Sequence, residues 1–157
     1  LDKNLVEALA DPLAKQGACS LAFNLSSLER TAHALRDAAG EGELMAWLGL
    51  VPSEHSSGST TRRGRLTKTG NALARTMLVE AGWSYRHMPK EGHPYLKRSA
   101  HLPQEIRDIG WKAQTRLCKR FRHLSNTGKP QPRVLAAIAR ELAGFIWDIA
   151  RKTPLAA

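Results

Sequence analysis

Cysteine is scarce in this sequence. The 157 residues include only two cysteines, Cys19 and Cys118, which lie far apart and form no CxxC pair. A disulfide scaffold or a zinc ribbon needs several cysteines at short spacings, so both are excluded. Unpaired cysteines, and the absence of a basic-then-apolar leader, are typical of a protein of the reducing cytoplasm, and we expect a cytoplasmic location.

Long hydrophobic runs are also lacking. The most apolar stretch, residues 134–150, is interrupted by Arg140, Glu141 and Asp148, and it is too short and too charged to span a bilayer. We therefore expect no membrane partner. No segment alternates apolar with polar residues, which is the pattern of a half-buried strand, so the sequence predicts no sheet. No internal repeat is visible.

Acidic residues are few: 14 Asp and Glu stand against 24 Lys and Arg, and the formal net charge is +10. The excess lies in residues 56–133, which hold 17 basic and four acidic residues. This uneven charge favours a polyanionic partner such as nucleic acid over a merely solvated surface. The carboxylates form no cluster, so a self-contained two-metal nuclease is not expected. His87, His93 and His101 match no metal-binding spacing.

Apolar residues recur at helical spacing through most of the chain. The pattern predicts an all-α fold, a small helical bundle with a long Ser/Gly/Arg-rich loop at residues 52–66 between helices. The tryptophans Trp83, Trp111 and Trp147 are expected in the core, and Trp47 beneath the loop. The predicted helices cover residues 2–15, 28–40, 43–50, 73–85, 106–124 and 135–149. In the fourth helix, the stripe expected to face the core is Leu73, Met77, Ala81 and Tyr85. The residues expected to turn away are Arg75, Val79, Gly82 and Arg86.

The loop contains two candidate nucleophiles, Ser56 and Ser57. A serine hydroxyl attacks poorly until a base takes its proton and a positive field stabilises the charge that develops. The positive field is available from four residues downstream: Arg62, Arg63, Arg65 and Lys68. His55 is adjacent but is not assigned as the base, because neighbours in an extended segment point apart. The alternative interpretation is a plain Ser/Gly-rich surface loop.

The segment 67–71, Thr-Lys-Thr-Gly-Asn, opens the next predicted helix. Thr67 or Thr69 is expected to cap it, its free amides would attract a phosphate, and Gly70 would permit close approach of the backbone. Nucleotide hydrolysis is not indicated, because the GxxxxGK[ST] arrangement is missing. Farther along, the basic face from Lys112 to Arg122 is either a track for a nucleic-acid backbone or a solvated helix face.

Two blocks of sequence together resemble a known family. Residues 44–58 read Leu-Met-Ala-Trp-Leu-Gly-Leu-Val-Pro-Ser-Glu-His-Ser-Ser-Gly, and residues 62–71 read Arg-Arg-Gly-Arg-Leu-Thr-Lys-Thr-Gly-Asn. They are similar to the C-terminal domain of the insertion sequence 110/116/902 transposases, and residues 78–83 and 138–147 extend the resemblance. It covers about residues 44–152. We therefore expect a transposase C-terminal domain at 44–157, preceded by a divergent or disrupted helical segment at 1–43.

The resemblance implies a function in DNA transposition. In this family an N-terminal RNase-H-like domain supplies a magnesium-binding acidic tetrad, while the C-terminal domain supplies a serine that becomes linked to DNA, guided by a structured bridge RNA. Magnesium is therefore expected only with the acidic domain. The expected partners are DNA, bridge RNA and further copies of the full-length protein. We expect the protein to associate with the bacterial nucleoid when DNA is bound. Ser56 becomes the nucleophile, with Ser57 as the fallback. The implied phosphate or RNA contacts are Arg62, Arg63, Arg65, Lys68, Asn71 and Arg75.

The sequence departs from the family in two places. Ser59 stands where a second glycine is usual after Ser-Ser-Gly, which would strain the loop if that position needs a positive φ. Residues 1–43 do not match the segment expected ahead of the domain, so the chain is expected to be a truncated or frame-disrupted transposase that is inactive alone. The alternatives are a non-catalytic basic module that binds nucleic acid and a decayed remnant.

Overall fold

The computed structural model describes residues 34–35, 37–90 and 99–152. Its elements are α1 (Glu41–Trp47), β1 (Pro52–Glu54), β2 (Arg63–Leu66), α2 (Ala72–Gly82), a 3-10 helix (Trp83–Arg86), α3 (Gln104–Asn126) and α4 (Gln131–Lys152). The predicted predominantly helical fold is confirmed, with a small two-stranded sheet in addition. The helix predicted at 2–15, and most of the one at 28–40, lie outside the described residues.

The longest helices, α3 and α4, form an antiparallel pair. In α3, the predicted stripe from Ile106 to Phe121 is buried. The C-terminal part of this stripe, from Ala113 to Phe121, packs against Val134, Leu135 and Ile138 of α4. At the other end of the pair, Lys152 Nζ of α4 lies 2.7 Å from Glu105 Oε1 of α3. The 3.6-residue period of the apolar side chains therefore fixes both the helices and the face on which they meet.

Helix α4 is shared between two apolar clusters. One face completes the cluster with α3, and another, through Ala139 and Ala143, packs against Leu44, Leu48 and Leu50 of the α1 region. These leucines are at most 2% exposed. Full burial of a leucine side chain contributes about 1.5–3 kcal/mol, so this second cluster holds α1, and the segment that follows it, firmly against the bundle. No helix within the described ranges is both long enough and apolar enough to cross a membrane.

The orientation predicted for α2 is wrong. Val79 and Gly82, expected to turn away, face the core: Val79 packs against both clusters, and Gly82 is buried. A Cβ at Gly82 would lie 3.4 Å from Leu135 Cδ2, so the missing side chain lets α2 lie close to α4. Apolar residues surround most of α2, and a stripe this wide does not identify the buried face from sequence.

Two of the four tryptophan predictions are wrong. Trp83 is 36% exposed and Trp111 is 40% exposed, although both were expected in the core. The Trp83 ring is tilted against Phe121 with centroids 6.5 Å apart, so it covers the edge of the core without being enclosed. Trp111 is two residues from both Ile109 and Ala113, which places it on the opposite side of α3 from the buried stripe. Trp147 is partly buried and donates its indole N–H to the Ala38 carbonyl oxygen at 3.2 Å, and Trp47 packs against the cluster around α1.

Candidate nucleic-acid interface

The Ser/Gly/Arg-rich segment predicted as a loop is a β-hairpin. Strands β1 and β2 pair antiparallel, with Pro52 opposite Leu66 and Glu54 opposite Arg63. The register shifts between these pairs, which leaves one extra residue on β2, as in a β-bulge. Periodicity could not reveal the strands, because most of their side chains are polar and exposed, so no alternation of apolar and polar residues arises.

A tight turn closes the hairpin. The amides and carbonyls of Ser57 and Thr60 exchange two hydrogen bonds of 3.2 Å, leaving Gly58 and Ser59 as the central residues. Gly58 has φ +58°, and glycine with positive φ at the first central position matches a type II′ hairpin turn. Ser59 does not have a positive φ. The serine found in place of the family's second glycine is therefore accommodated without backbone strain.

The base of the hairpin is fixed by backbone contacts to the end of α1 and to the segment that follows it. The Thr67 amide donates to the Val51 carbonyl at 3.0 Å, and the Lys68 amide donates to the Gly49 carbonyl at 3.2 Å. A Cβ at Gly70, which has φ +78°, would lie 1.8 Å from the Trp47 carbonyl oxygen. The close backbone approach expected at Gly70 is thus made to the end of α1, and it holds the hairpin in a defined position.

Ser56 lies near the tip of the hairpin and is exposed. Its hydroxyl donates a 2.6 Å hydrogen bond to Oε1 of Glu54, two residues earlier. Alternate residues of a strand share a face, so Ser56 and Glu54 lie on one face and His55 on the other. On that other face, His55 and Ser53 flank Gly64. Ser57 is held in the turn. The hairpin therefore brings Ser56 together with a carboxylate rather than with the imidazole.

The predicted basic contacts of the hairpin, Arg62, Arg63, Arg65 and Lys68, are all exposed. Within the described part of the chain, none of the four forms an ion pair. Two arginines of α3 differ: Arg116 Nη2 and Arg120 Nε lie 2.6 Å and 3.1 Å from the carboxylate oxygens of Glu141. Among the described residues, the hairpin that carries Ser56 thus presents positive charge without ion-pair partners, whereas part of the basic α3 face is neutralised.

Lys68 has a special backbone conformation. Its φ of +56° makes it the one non-glycine residue with positive φ among those described. The left-handed region costs an ordinary L-residue roughly 1–2 kcal/mol. Lys68 therefore combines backbone strain with an exposed positive charge. The substitution Lys68→Gly removes both, so it tests what each contributes.

Asn71 and Arg75 make bonds inside the protein. Asn71 Oδ1 accepts from the amides of Leu73 and Ala74 at 3.1 and 3.2 Å, so Asn71 is the N-cap of α2. The predicted caps, Thr67 and Thr69, are wrong because α2 begins only at Ala72. Arg75 Nη1 donates to the carbonyl oxygens of Leu48 and Thr69. Their contact with nucleic acid stays a prediction.

No group of metal ligands is found at the hairpin among the described residues. In residues 34–35, 37–90 and 99–152, no three His, Cys, Asp or Glu side chains are close enough to hold a metal ion. Burial raises the pKa of Tyr85 to about 12, with a smaller contribution from Cys118, whose own pKa burial also raises. Both groups belong to the packing of the 3-10 helix and α3.

Comparison with known proteins connects this geometry to a family. The model of the transposase IS116/IS110/IS902 family matches residues 28–97, which include the whole hairpin. A protein of Sinorhizobium fredii whose name assigns it to the transposases is 52% identical over 110 residues, covering 70% of this chain and 28% of that protein. A Pseudomonas aeruginosa protein named as a family 20 transposase is 46% identical over 37 residues, or 24% of this chain and 11% of that protein.

The chain thus spans little more than a quarter of the length of the Sinorhizobium relative. No solved structure matches it. The family match includes Ser56, its carboxylate partner and every basic residue of the hairpin. By this match over residues 28–97 and by the two relatives, the chain is similar to the IS116/IS110/IS902 family of transposases.

Proposed function

We propose that this chain acts in DNA transposition, binding nucleic acid through its hairpin and supplying Ser56 as the nucleophile for strand cleavage. The observation that carries the proposal is the placement of Ser56: its hydroxyl is exposed near the tip of a fixed hairpin that also carries exposed cations, none of them in an ion pair within the described residues. Such a hydroxyl is accessible to a phosphodiester in a way that a buried or turn-locked serine is not.

The chemistry that we propose is phosphoryl transfer. Ser56 Oγ attacks the phosphorus of a DNA strand, and the strand's leaving oxygen departs as a hydroxyl. Nearby guanidinium groups stabilise the negative charge that spreads over the phosphoryl oxygens. Because a phosphoserine linkage keeps the energy of the cleaved bond, rejoining to another strand needs no ATP. Ser57, the fallback, has its backbone amide and carbonyl committed to the turn.

The partners in this proposal come from the family. DNA is the substrate, a structured bridge RNA selects the sites, and several copies of the full-length protein assemble. Magnesium is bound by the acidic domain that the family resemblance implies. This chain by itself is therefore expected to bind nucleic acid without completing strand exchange.

The test is a covalent adduct between this chain and labelled DNA. The chain is mixed with element DNA, bridge RNA, magnesium and the acidic domain of a family member, and the adduct is detected as protease-sensitive label on a denaturing gel. We expect an adduct with wild type and with Ser57→Ala, and none with Ser56→Ala. Adduct at the wild-type level from Ser56→Ala would exclude Ser56 as nucleophile.

A non-catalytic role is the second candidate, favoured by the fact that the exposed hairpin cations would bind nucleic acid without any reactive serine. In that case no adduct forms under any condition, although the chain binds DNA or RNA. Measuring nucleic-acid binding in parallel with adduct formation separates the two candidate functions. Ser56→Ala should leave binding unchanged under either function, and it abolishes an adduct only if Ser56 is the nucleophile.

A further inference from the structure

The proposed function leaves open which group takes the proton from Ser56. Of the two ionisable neighbours in sequence, His55 lies on the opposite face of the hairpin, and Glu54 accepts the hydroxyl's hydrogen bond. We infer that Glu54 is the general base that activates Ser56. The inference rests on the proposed function, since it assigns a second catalytic residue to the same site.

The geometry meets the requirement for proton transfer. A general base must lie about 2.6–3.2 Å from the atom that loses the proton, and Glu54 Oε1 is 2.6 Å from Ser56 Oγ. The separation is also in the range of a charge-assisted O–H···O⁻ bond, about 2.5–2.7 Å. Glu54 belongs to β1, whose pairing with β2 fixes the backbone from which the carboxylate extends. The contact joins residues two apart along β1 and its continuation, so it follows from the alternation of side chains in an extended segment.

The surrounding charges leave this carboxylate able to accept a proton. Glu54 lies opposite Arg63 in the register, yet in the part of the chain that the structure describes no cation lies within 4.0 Å of it. A tight ion pair would hold the carboxylate in its charged form and oppose protonation. The same lack of pairing leaves Arg63 free for a phosphate. The proposed base, Glu54, and a cation that can stabilise the phosphoryl group, Arg63, thus lie on one hairpin without forming an ion pair with each other.

The proposed step balances without any further reagent. As Ser56 Oγ forms a bond to phosphorus, its proton passes to Glu54, and the bond from phosphorus to the leaving strand oxygen breaks. That oxygen takes a proton from solvent. In the rejoining step the direction reverses: an incoming strand hydroxyl gives its proton to solvent as it attacks phosphorus, the Oγ–phosphorus bond breaks, and protonated Glu54 returns its proton to Ser56. No bond is oxidised or reduced.

The experiment measures the rate of adduct formation in the reaction described above. Glu54→Gln keeps an oxygen that accepts the serine's hydrogen bond but takes no proton at neutral pH, and we expect it to slow the adduct by about 100-fold, the lower end of the general-base range. Glu54→Ala should be at least as slow. Glu80→Gln, at an exposed position of α2, is the matched control for the change in net charge and should keep the wild-type rate.

The outcomes distinguish failure of this inference from failure of the proposed function. If Glu54→Gln reacts at the wild-type rate while Ser56→Ala forms no adduct, Glu54 is not the base and the proposed function stands. The same conclusion holds if only Glu54→Ala is slow, since the carboxylate then merely positions the hydroxyl. If Ser56→Ala matches wild type, or if wild type forms no adduct, the proposed function fails and this inference with it. Thermal melts by circular dichroism check that each variant is folded.

Discussion

At the scale of single residues, Lys68 combines a strained backbone with an exposed charge. Its positive φ is imposed by its position between the hairpin and Gly70, where its amide bonds to the Gly49 carbonyl. Strain that a fold retains in this way is found most often where a side chain is needed for function. Lysine is a poor choice for this conformation on stability alone, so its presence favours a role for the ammonium group.

The substitution Lys68→Gly separates stability from binding. Relief of left-handed strain is worth roughly 1–2 kcal/mol, and glycine loses about 0.5–1 kcal/mol in backbone entropy. We therefore expect the free energy of unfolding to rise by about 0.5–1 kcal/mol, measured by urea denaturation, while affinity for DNA falls. Lys129→Gly, an exposed site where φ is not positive, serves as the charge-matched control. An unchanged DNA affinity for Lys68→Gly would contradict the phosphate contact.

A second residue-scale prediction concerns pH. Burial raises the pKa of Tyr85 from 10.0 to about 12. The folded state then binds the proton more tightly than the unfolded state, so the stabilisation is complete below pH 10 and is lost as the pH rises from 10 to 12. A rise of this size in the pKa corresponds to about 3 kcal/mol.

Urea unfolding at pH 9 and pH 11 tests this linkage. Wild type should lose more stability between the two values than Tyr85→Phe, which has the same ring and no ionisable group. Comparing the two proteins cancels the titration of lysines, which is common to both. Equal losses in the two proteins would show that the Tyr85 hydroxyl ionises freely in the folded state.

At the scale of secondary structure, the sequence predicts helices better than it predicts the hairpin. The α3 stripe is visible because apolar side chains follow one narrow face over 23 residues. Strands β1 and β2 are only three and four residues long, and they are held by backbone bonds and by their attachment to α1. Such contacts join residues distant in sequence and carry no signal in hydrophobic periodicity. The candidate residues were identifiable, but the Glu54–Ser56 contact was not, because the sequence predicts a loop there and the two side chains share a face only in an extended strand.

The start of α2 supplies a prediction for an element. Asn71 caps the helix through two backbone amides, and removing a cap of this kind costs about 1 kcal/mol. Asn71→Ala should lower the free energy of unfolding by that amount. Asn71→Asp keeps an acceptor oxygen at the helix N-terminus, where negative charge is favourable, and should keep the stability. If Asn71→Ala melts like wild type, the cap contributes nothing.

The same pair of variants tests the predicted nucleic-acid contact of Asn71. Aspartate retains the cap but repels phosphate, so Asn71→Asp should bind DNA more weakly than wild type at equal stability. The effect should be largest at low ionic strength, measured by fluorescence anisotropy with a labelled duplex. Equal affinity of Asn71→Asp and wild type would restrict Asn71 to its structural role at the start of α2.

At the scale of the whole molecule, the distribution of paired and unpaired cations decides where a polyanion binds. Net charge alone would attract DNA to any basic surface, including the α3 face with Arg116. That guanidinium already contacts Glu141, whereas the hairpin arginines have no ion-pair partner in the described ranges. A phosphate that contacts the hairpin therefore releases its counterions without first breaking a protein ion pair.

Salt dependence of binding measures this difference. Each phosphate neutralised changes the slope of log K against log salt by about 0.9 on duplex DNA, so Arg63→Ala should reduce the magnitude of the slope by about 1. Arg116→Ala removes the same formal charge from a site compensated by Glu141, and should leave the slope nearly unchanged. Titrations of a labelled duplex at four or more salt concentrations give both slopes. Equal changes in slope for the two variants would mean that DNA binding depends on total charge and that the hairpin is not a preferred binding site.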